Sequence, residues 1–281
     1  MKRLLPFFIL FVFLFACTSG DAPIDTAESE THYNLGMEFA KLSLYKNALE
    51  EFDLAIKHDP NNLQAYRKKG LVHFGLKQHD QARQAFEKVL SLDPENVQVH
   101  INLGMVFYVK GEKQKARKEW EHAISLQEGD NDSRAFNNIA NIYKEEKNYD
   151  KAIEYYQQAI AQEPNNSTYL NNLGDSFRLQ GEFEQAEATF KGSLAADPKG
   201  MLTHFNLGML YLEQKVYDRA IESFRNSLKV NPYYAEAYYQ IALSYIAQKD
   251  KKSAMQSIEL ALKVEPSNSK YRELFSQVES S

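Results

Sequence analysis

The chain has 281 residues, 43% of them hydrophobic, and a formal net charge of −5. That hydrophobic share suffices for a substantial core, and the acidic balance argues against a partner recognised through a basic field, nucleic acid above all. The single cysteine, Cys17, excludes a disulfide framework and a thiolate metal cluster.

The first element in chain order is a targeting segment. Lys2 and Arg3 precede an apolar run from Leu4 to Ala16, shorter than the roughly 20 residues a membrane-spanning helix needs. The run ends in Leu14-Phe15-Ala16-Cys17, which resembles a bacterial lipobox. The resemblance implies a lipoprotein signal peptide over 1–16 and lipidation of Cys17. Thr18 after the cysteine implies sorting to the outer membrane, facing the periplasm. An ordinary signal peptide with an incidental cysteine is the other reading. Residues 17–28 are then the lipidated cysteine and a small, polar, flexible tether.

Beyond residue 28 the prolines set a period. Six of the eight stand at 60, 94, 164, 198, 232 and 266, and four of the five gaps are 34 residues. A fixed period of this size marks a solenoid or array. The repeats align on one small residue: Gly36, Gly70, Gly104, Ala140, Gly174, Gly208 and Ala242. Twelve residues later stands alanine each time, at Ala48, Ala82, Ala116, Ala152, Ala186, Ala220 and Ala254. Sixteen later comes a large apolar side chain, at Phe52, Phe86, Trp120, Tyr156, Phe190, Phe224 and Ile258. Two helices per unit explain the pattern. The small residues sit where the backbones of helix A and helix B approach, and the large one fills the space beside them. Asp, Glu or Asn before each proline ends helix B, because proline disfavours the helical region for its predecessor.

This pattern resembles the tetratricopeptide repeat. The resemblance implies an all-α solenoid of seven helix-turn-helix repeats in a right-handed superhelix, over 29–62, 63–96, 97–130, 133–166, 167–200, 201–234 and 235–268. Residues 269–281 carry Tyr271, Leu274, Phe275 and Val278 at helical spacing and predict a capping helix. Repeat two is the poorest match, with Lys69 and His73 at apolar positions. Repeat three ends without proline in residues 127–132, a longer turn with unbroken stacking or else a hinge before repeats 4–7.

With the small residue numbered position 8, positions 4, 7, 8 and 11 are expected to pack. Positions 2, 6, 9 and 13 fall on the opposite side of a helix advancing about 100° per residue. Position 6 reads Asn34, Lys68, Asn102, Asn138, Asn172, Asn206 and Gln240. A primary amide offers one acceptor and two donors, which suits pairing with the backbone of a bound segment. The family resemblance places this face in a concave groove and implies a peptide-gripping ladder. Position 9 adds Met37, Met105, Asn141, Asp175 and Met209, and the central repeats add Arg134, Asn137, Lys144, Asn171 and Arg178. The groove is expected to have apolar ends and a polar centre. Its asparagines are expected to face solvent and to matter for binding rather than folding.

No phosphate loop, HExxH or paired CxxC occurs. His32, His100 and His204 all stand at position 4 and read as half-buried packing residues. No catalytic residue, metal site or cofactor is expected, and no small-molecule substrate. The expected function is a non-enzymatic, membrane-anchored periplasmic scaffold that binds a protein or peptide segment, extended or helical. Size, lipobox and repeat content resemble the pilotin lipoproteins of type IV pilus secretins, though that family typically has six repeats. An adaptor for cell-wall enzymes and a subunit of an envelope enzyme are the alternatives.

Overall fold

The computed structural model describes residues 24–126 and 133–280. Cys17, the signal segment and the 127–132 loop lie outside the described residues. Within them the chain is all helical, with fifteen α-helices and no strand. Repeat 1 comprises α1 (Thr26–Lys41) and α2 (Tyr45–His58), and repeat 2 comprises α3 (Leu63–Gly75) and α4 (His79–Leu92). Repeat 3 is α5 (Val97–Val109) with α6 (Lys113–Ser125), and repeat 4 is α7 (Ser133–Glu145) with α8 (Tyr149–Gln162). Repeat 5 is α9 (Ser167–Gln180) with α10 (Phe183–Ala196), and repeat 6 is α11 (Met201–Glu213) with α12 (Tyr217–Val230). Repeat 7 is α13 (Ala235–Ala247) with α14 (Lys251–Val264), and α15 (Ser269–Ser280) closes the chain. These are the seven repeats of a tetratricopeptide solenoid, with the expected terminal helix.

The chain divides into two compact units, residues 1–72 and 73–281. The division falls inside α3, whose only buried residues are Ala65 and Gly70. In the first unit, Gly36 of α1 lies against Phe52 of α2, and a β-carbon built on it would stand 2.7 Å from the ring. Ser29 donates to the Ala55 carbonyl at 2.8 Å and receives the Asn62 amide at 2.9 Å, closing the base of the pair.

In the second unit the same contact recurs. A β-carbon on Gly174 would stand 2.8 Å from Phe190, and one on Gly208 2.6 Å from Phe224. Gly104 meets the Trp120 indole, whose N–H donates to the Ile101 carbonyl at 3.0 Å. All seven position-20 alanines and all seven large residues at position 24 are buried. The buried set on helix A differs in part from the expected one. Positions 7 and 8 are shared, while positions 3 and 10 bury more consistently than position 4, as Tyr169, Ser176, Thr203, Leu210, Ala237 and Ser244 show.

Turn chemistry sets the boundaries. Asn61, Lys199 and Tyr233 donate their backbone N–H to the side chain of the residue preceding the proline, Asp59, Asp197 and Asn231, at 2.9–3.0 Å. That explains why a short acceptor side chain precedes proline at these turns. Stacking continues across the 127–132 loop. Ile124 of α6 packs into a cluster with Phe136, Ala159 and Tyr169, and Lys113 of α6 pairs with Glu145 of α7 at 2.7 Å. At the C-terminus, Val278, Leu274 and Phe275 of α15 cover Ala242, Ala254 and Ile258.

Candidate functional site

The exposed side of the A helices in repeats 3–6 carries most of the candidate residues, and the structure ties them to one another. Asn172 of α9 donates through Nδ2 to Asn137 Oδ1 of α7 at 3.1 Å. One repeat on, Asn206 of α11 donates to Asn171 Oδ1 of α9 at 3.0 Å. Each bond runs from position 6 of one repeat to position 5 of the one before. The acceptors Asn137 and Asn171 are only 9% and 8% exposed. Asn138 completes the local set, accepting from Asn137 Nδ2 at 3.4 Å.

This corrects the expectation of a freely solvated ladder. Asn102, Asn138, Asn172 and Asn206 are half-buried, and Gln240 is buried and bonded to Glu236 of its own helix at 2.7 Å. Asn34 is exposed, as expected of the whole series. The physical reason is that neighbouring A helices lie side by side, close enough for the position 6 amide of Asn172 or Asn206 to reach the position 5 amide of the repeat before. Each of these two bonds uses one N–H of Asn172 or Asn206, and the second N–H and the carbonyl oxygen remain for other partners.

Below the amides runs an ionic row. Asp175 accepts from Lys144 Nζ at 3.2 Å and from Arg178 Nη2 at 2.7 Å, and Arg178 reaches on to Glu213 of α11. Three A helices are thereby linked, through Lys144, Asp175 and Arg178, which are largely shielded from water, and Glu213, which is exposed. Arg134 is exposed and bonds to Gln98 of α5 at 2.7 Å. Met105 and Met209 are half-buried at the two ends of this face, and Met37 is half-buried in the first unit. Leu202, Phe205 and Leu212 of α11 extend the face beside Met209, so the polar centre passes into an apolar stretch at repeat 6.

Two participants escaped the pattern of spacings. Tyr156 belongs to helix B, yet its hydroxyl donates to Asn141 Oδ1 at 2.5 Å. Burial first, then Asp175, pushes its phenol far above the ordinary range, so it stays a neutral donor. Tyr108 is likewise pushed up, to about 12, by burial and by the Glu145 carboxylate that accepts its hydrogen bond. A tyrosine where four of the other repeats have phenylalanine was the only signal for Tyr156.

Two of the three histidines of position 4 hold helix pairs together, while His204 lies 3.1 Å from the Pro198 carbonyl of the preceding turn. His32 Nδ1 lies 2.6 Å from Glu51, and His100 Nδ1 lies 2.7 Å from Glu119 with Nε2 2.9 Å from the Pro94 carbonyl. Among the described residues no group of three His, Cys, Asp or Glu is placed to hold a metal ion, and no helix is long and apolar enough to cross a membrane. A surface recess lies elsewhere, between Pro198, Lys199, His204, Asn226, Lys229 and Val230, away from the amide row.

Comparison with known proteins agrees with this architecture. The family model of the cytochrome c-type biogenesis protein H TPR domain matches residues 37–170, and a general tetratricopeptide repeat model matches 143–202 and 211–278. No curated protein matches the chain. Among solved structures, the Cut9–Hcn1 hetero-tetramer of the APC/C aligns with a TM-score of 0.69 at 20% identity, covering 89% of this chain and 46% of the other. PilF of Pseudomonas aeruginosa aligns with a TM-score of 0.66 at 21% identity, covering 76% of this chain and 97% of the other. A tetratricopeptide repeat protein from Parabacteroides merdae aligns at 0.68 and 16% identity, covering 89% and 98%. At these identities the likeness is one of fold.

Proposed function

We infer that this chain, a tetratricopeptide repeat protein, is a non-enzymatic scaffold that holds a protein segment along the exposed side of its A helices. The observation that carries the reading is the amide row. Asn172 and Asn206 are fixed by bonds to Asn137 and Asn171, so their remaining donors and acceptors are pre-positioned at one-repeat intervals. Groups already ordered lose little side-chain entropy on binding. The ionic row of Lys144, Asp175 and Arg178 is internally satisfied, which favours hydrogen bonding to a segment's backbone over recognition of one charge.

The scaffold works at the cell envelope, anchored in the outer membrane through lipidated Cys17, and serves assembly of an envelope machine such as a type IV pilus or its secretin. The Leu14-Phe15-Ala16-Cys17 ending supports the anchor. The match of residues 37–170 to a cytochrome c biogenesis repeat domain favours a second reading, an assembly factor for cytochrome c maturation.

The test places a photo-crosslinking amino acid at Leu202, beside the amide row, in the full chain in cells. A discrete envelope protein should be captured there, and its identity separates the two pathways. Asn138→Ala with Asn172→Ala should reduce that capture, while Asn226→Ala on α12 should not. Equal capture from all three chains would remove the A-helix face as the binding site.

A further inference from the structure

The two ends of the array are finished differently. At the C-terminal end, α15 spends its apolar residues on repeat 7 and turns Glu273, Ser276, Gln277 and Glu279 to solvent. Repeat arrays need such a polar outer face at their termini. Among the described residues the first repeat lacks one. Position 7 is no more than 8% exposed in Leu103, Ile139, Leu173, Leu207 and Ile241 and half-buried in Lys69, but Leu35 of α1 is 42% exposed. One turn of heptad spacing further on, Leu42 is 68% exposed, and Leu44 and Tyr45 beside it are also exposed.

The exposed face of α1 reads Glu28, Thr31, Asn34, Leu35, Glu38, Lys41 and Leu42, at the spacings of one helix side. Its charge is graded along the axis. Asp25, Glu28 and Glu30 stand at the start, while the bases Lys41 and Lys46 stand at or beyond the end, with Glu38 the one acid of the last turn. A parallel copy would set like charges together. An antiparallel copy sets each Lys41 against the partner's acidic first turns, with Leu35 near the two-fold axis. Lys41 pairs with Glu38 at 2.6 Å, both well exposed, so that ion pair is weak and exchangeable.

We propose that α1 is a homodimer surface, on which a second copy of this chain packs its own α1 antiparallel, pairing Lys41 with Glu28 across the axis and covering Leu35, Leu42 and Leu44. The self-complementary charge gradient selects a second copy over an unrelated apolar partner, and an isologous two-fold contact of this kind closes on itself. It involves the first unit alone and does not depend on the groove reading.

The test uses the full chain with Asn34→Cys, a position on the exposed stripe beside the axis, treated with a short bis-maleimide in membranes of expressing cells. The wild-type chain, with Cys17 alone, measures background, and Gln277→Cys on α15 is the control for random encounter. Dimer cross-linking is expected for Asn34→Cys only. Adding Lys41→Glu should cut it about tenfold, since both symmetric pairs become repulsions. Adding Glu28→Lys to that chain should restore it, with thermal unfolding unchanged throughout. Equal cross-linking at both cysteines, none at Asn34→Cys, or failure of Glu28→Lys to restore it would overturn the proposal. The last two outcomes would indicate that lipid, the residues before 24 or another protein covers this face.

Discussion

Lys215 occupies the left-handed region, at φ 61°, in the turn between α11 and α12. Every A-to-B turn has one such residue: Ser43, Lys77, Gly111, Lys147, Gly181, Lys215 and Lys249. Only two of the seven are glycine, so five turns carry a β-carbon where it is disfavoured by about 1–2 kcal/mol. Glycine costs more entropy on folding, which offsets part of that. Lys215→Gly should therefore raise stability by about 0.5 kcal/mol, read as a higher denaturant midpoint with unchanged slope. Ala186 tests the opposite limit. It is fully buried in α10, and Ala186→Leu should overpack that contact and cost about 1–3 kcal/mol. A midpoint equal to wild type would mean that α9 and α10 can separate without penalty.

At the scale of a helix pair, α5 and α6 are clasped by His100. Burial is the largest influence on this imidazole and pushes its pKa down. The Glu119 carboxylate, the Pro94 carbonyl and Asp93 together outweigh it, so the pKa lies above its ordinary 6.5. His122, edge-on to the ring at 4.6 Å, is the other titratable neighbour. The folded state thus binds the proton more tightly than the unfolded chain. The clasp's stabilisation is fully present below pH 6.5 and declines as pH rises through the raised value. Unfolding of wild type by urea should show that decline as pH rises above 6.5, and His100→Gln should flatten it. An identical pH profile in the variant would show that the clasp contributes nothing. Stacking between repeats adds a second recurrent device. Asp80, Asp150 and Asp218 at the start of helix B receive Lys110, Gln180 and Gln248 from the next A helix at 2.5–2.7 Å.

For the whole molecule the decisive feature is that neighbours, not distant segments, hold each repeat. The amide row belongs to this level, since Asn137, Asn172, Asn171 and Asn206 join three successive repeats. Replacing Asn172 and Asn206 by alanine leaves two buried carbonyl oxygens without their donors, at about 1–3 kcal/mol each. The double variant should melt below wild type, whereas Asn34→Ala, exposed in the first unit, should melt with it. A double variant with wild-type melting would return these amides to a purely ligand-facing role.

Periodicity alone was enough for the helix pairs, because close backbone contact admits only glycine or alanine and its neighbour must fill the gap. The seven repeats, the buried alanines and aromatics, the capping helix and the poor second repeat were all legible from the spacings of Gly36, Ala48, Phe52 and their successors. The exposure of the asparagines was not. A helical wheel assigns a direction to position 6 within one helix, but it cannot show how closely the next helix stacks. That distance turned Asn172 toward Asn137 and brought Asp175, Lys144, Arg178 and Glu213 into one row. Nor could the wheel show that Tyr156, on helix B of the same repeat, reaches Asn141. The same limit applies at the first repeat: Leu35 has the residue type of a packing position, and only the fold shows it exposed among the described residues.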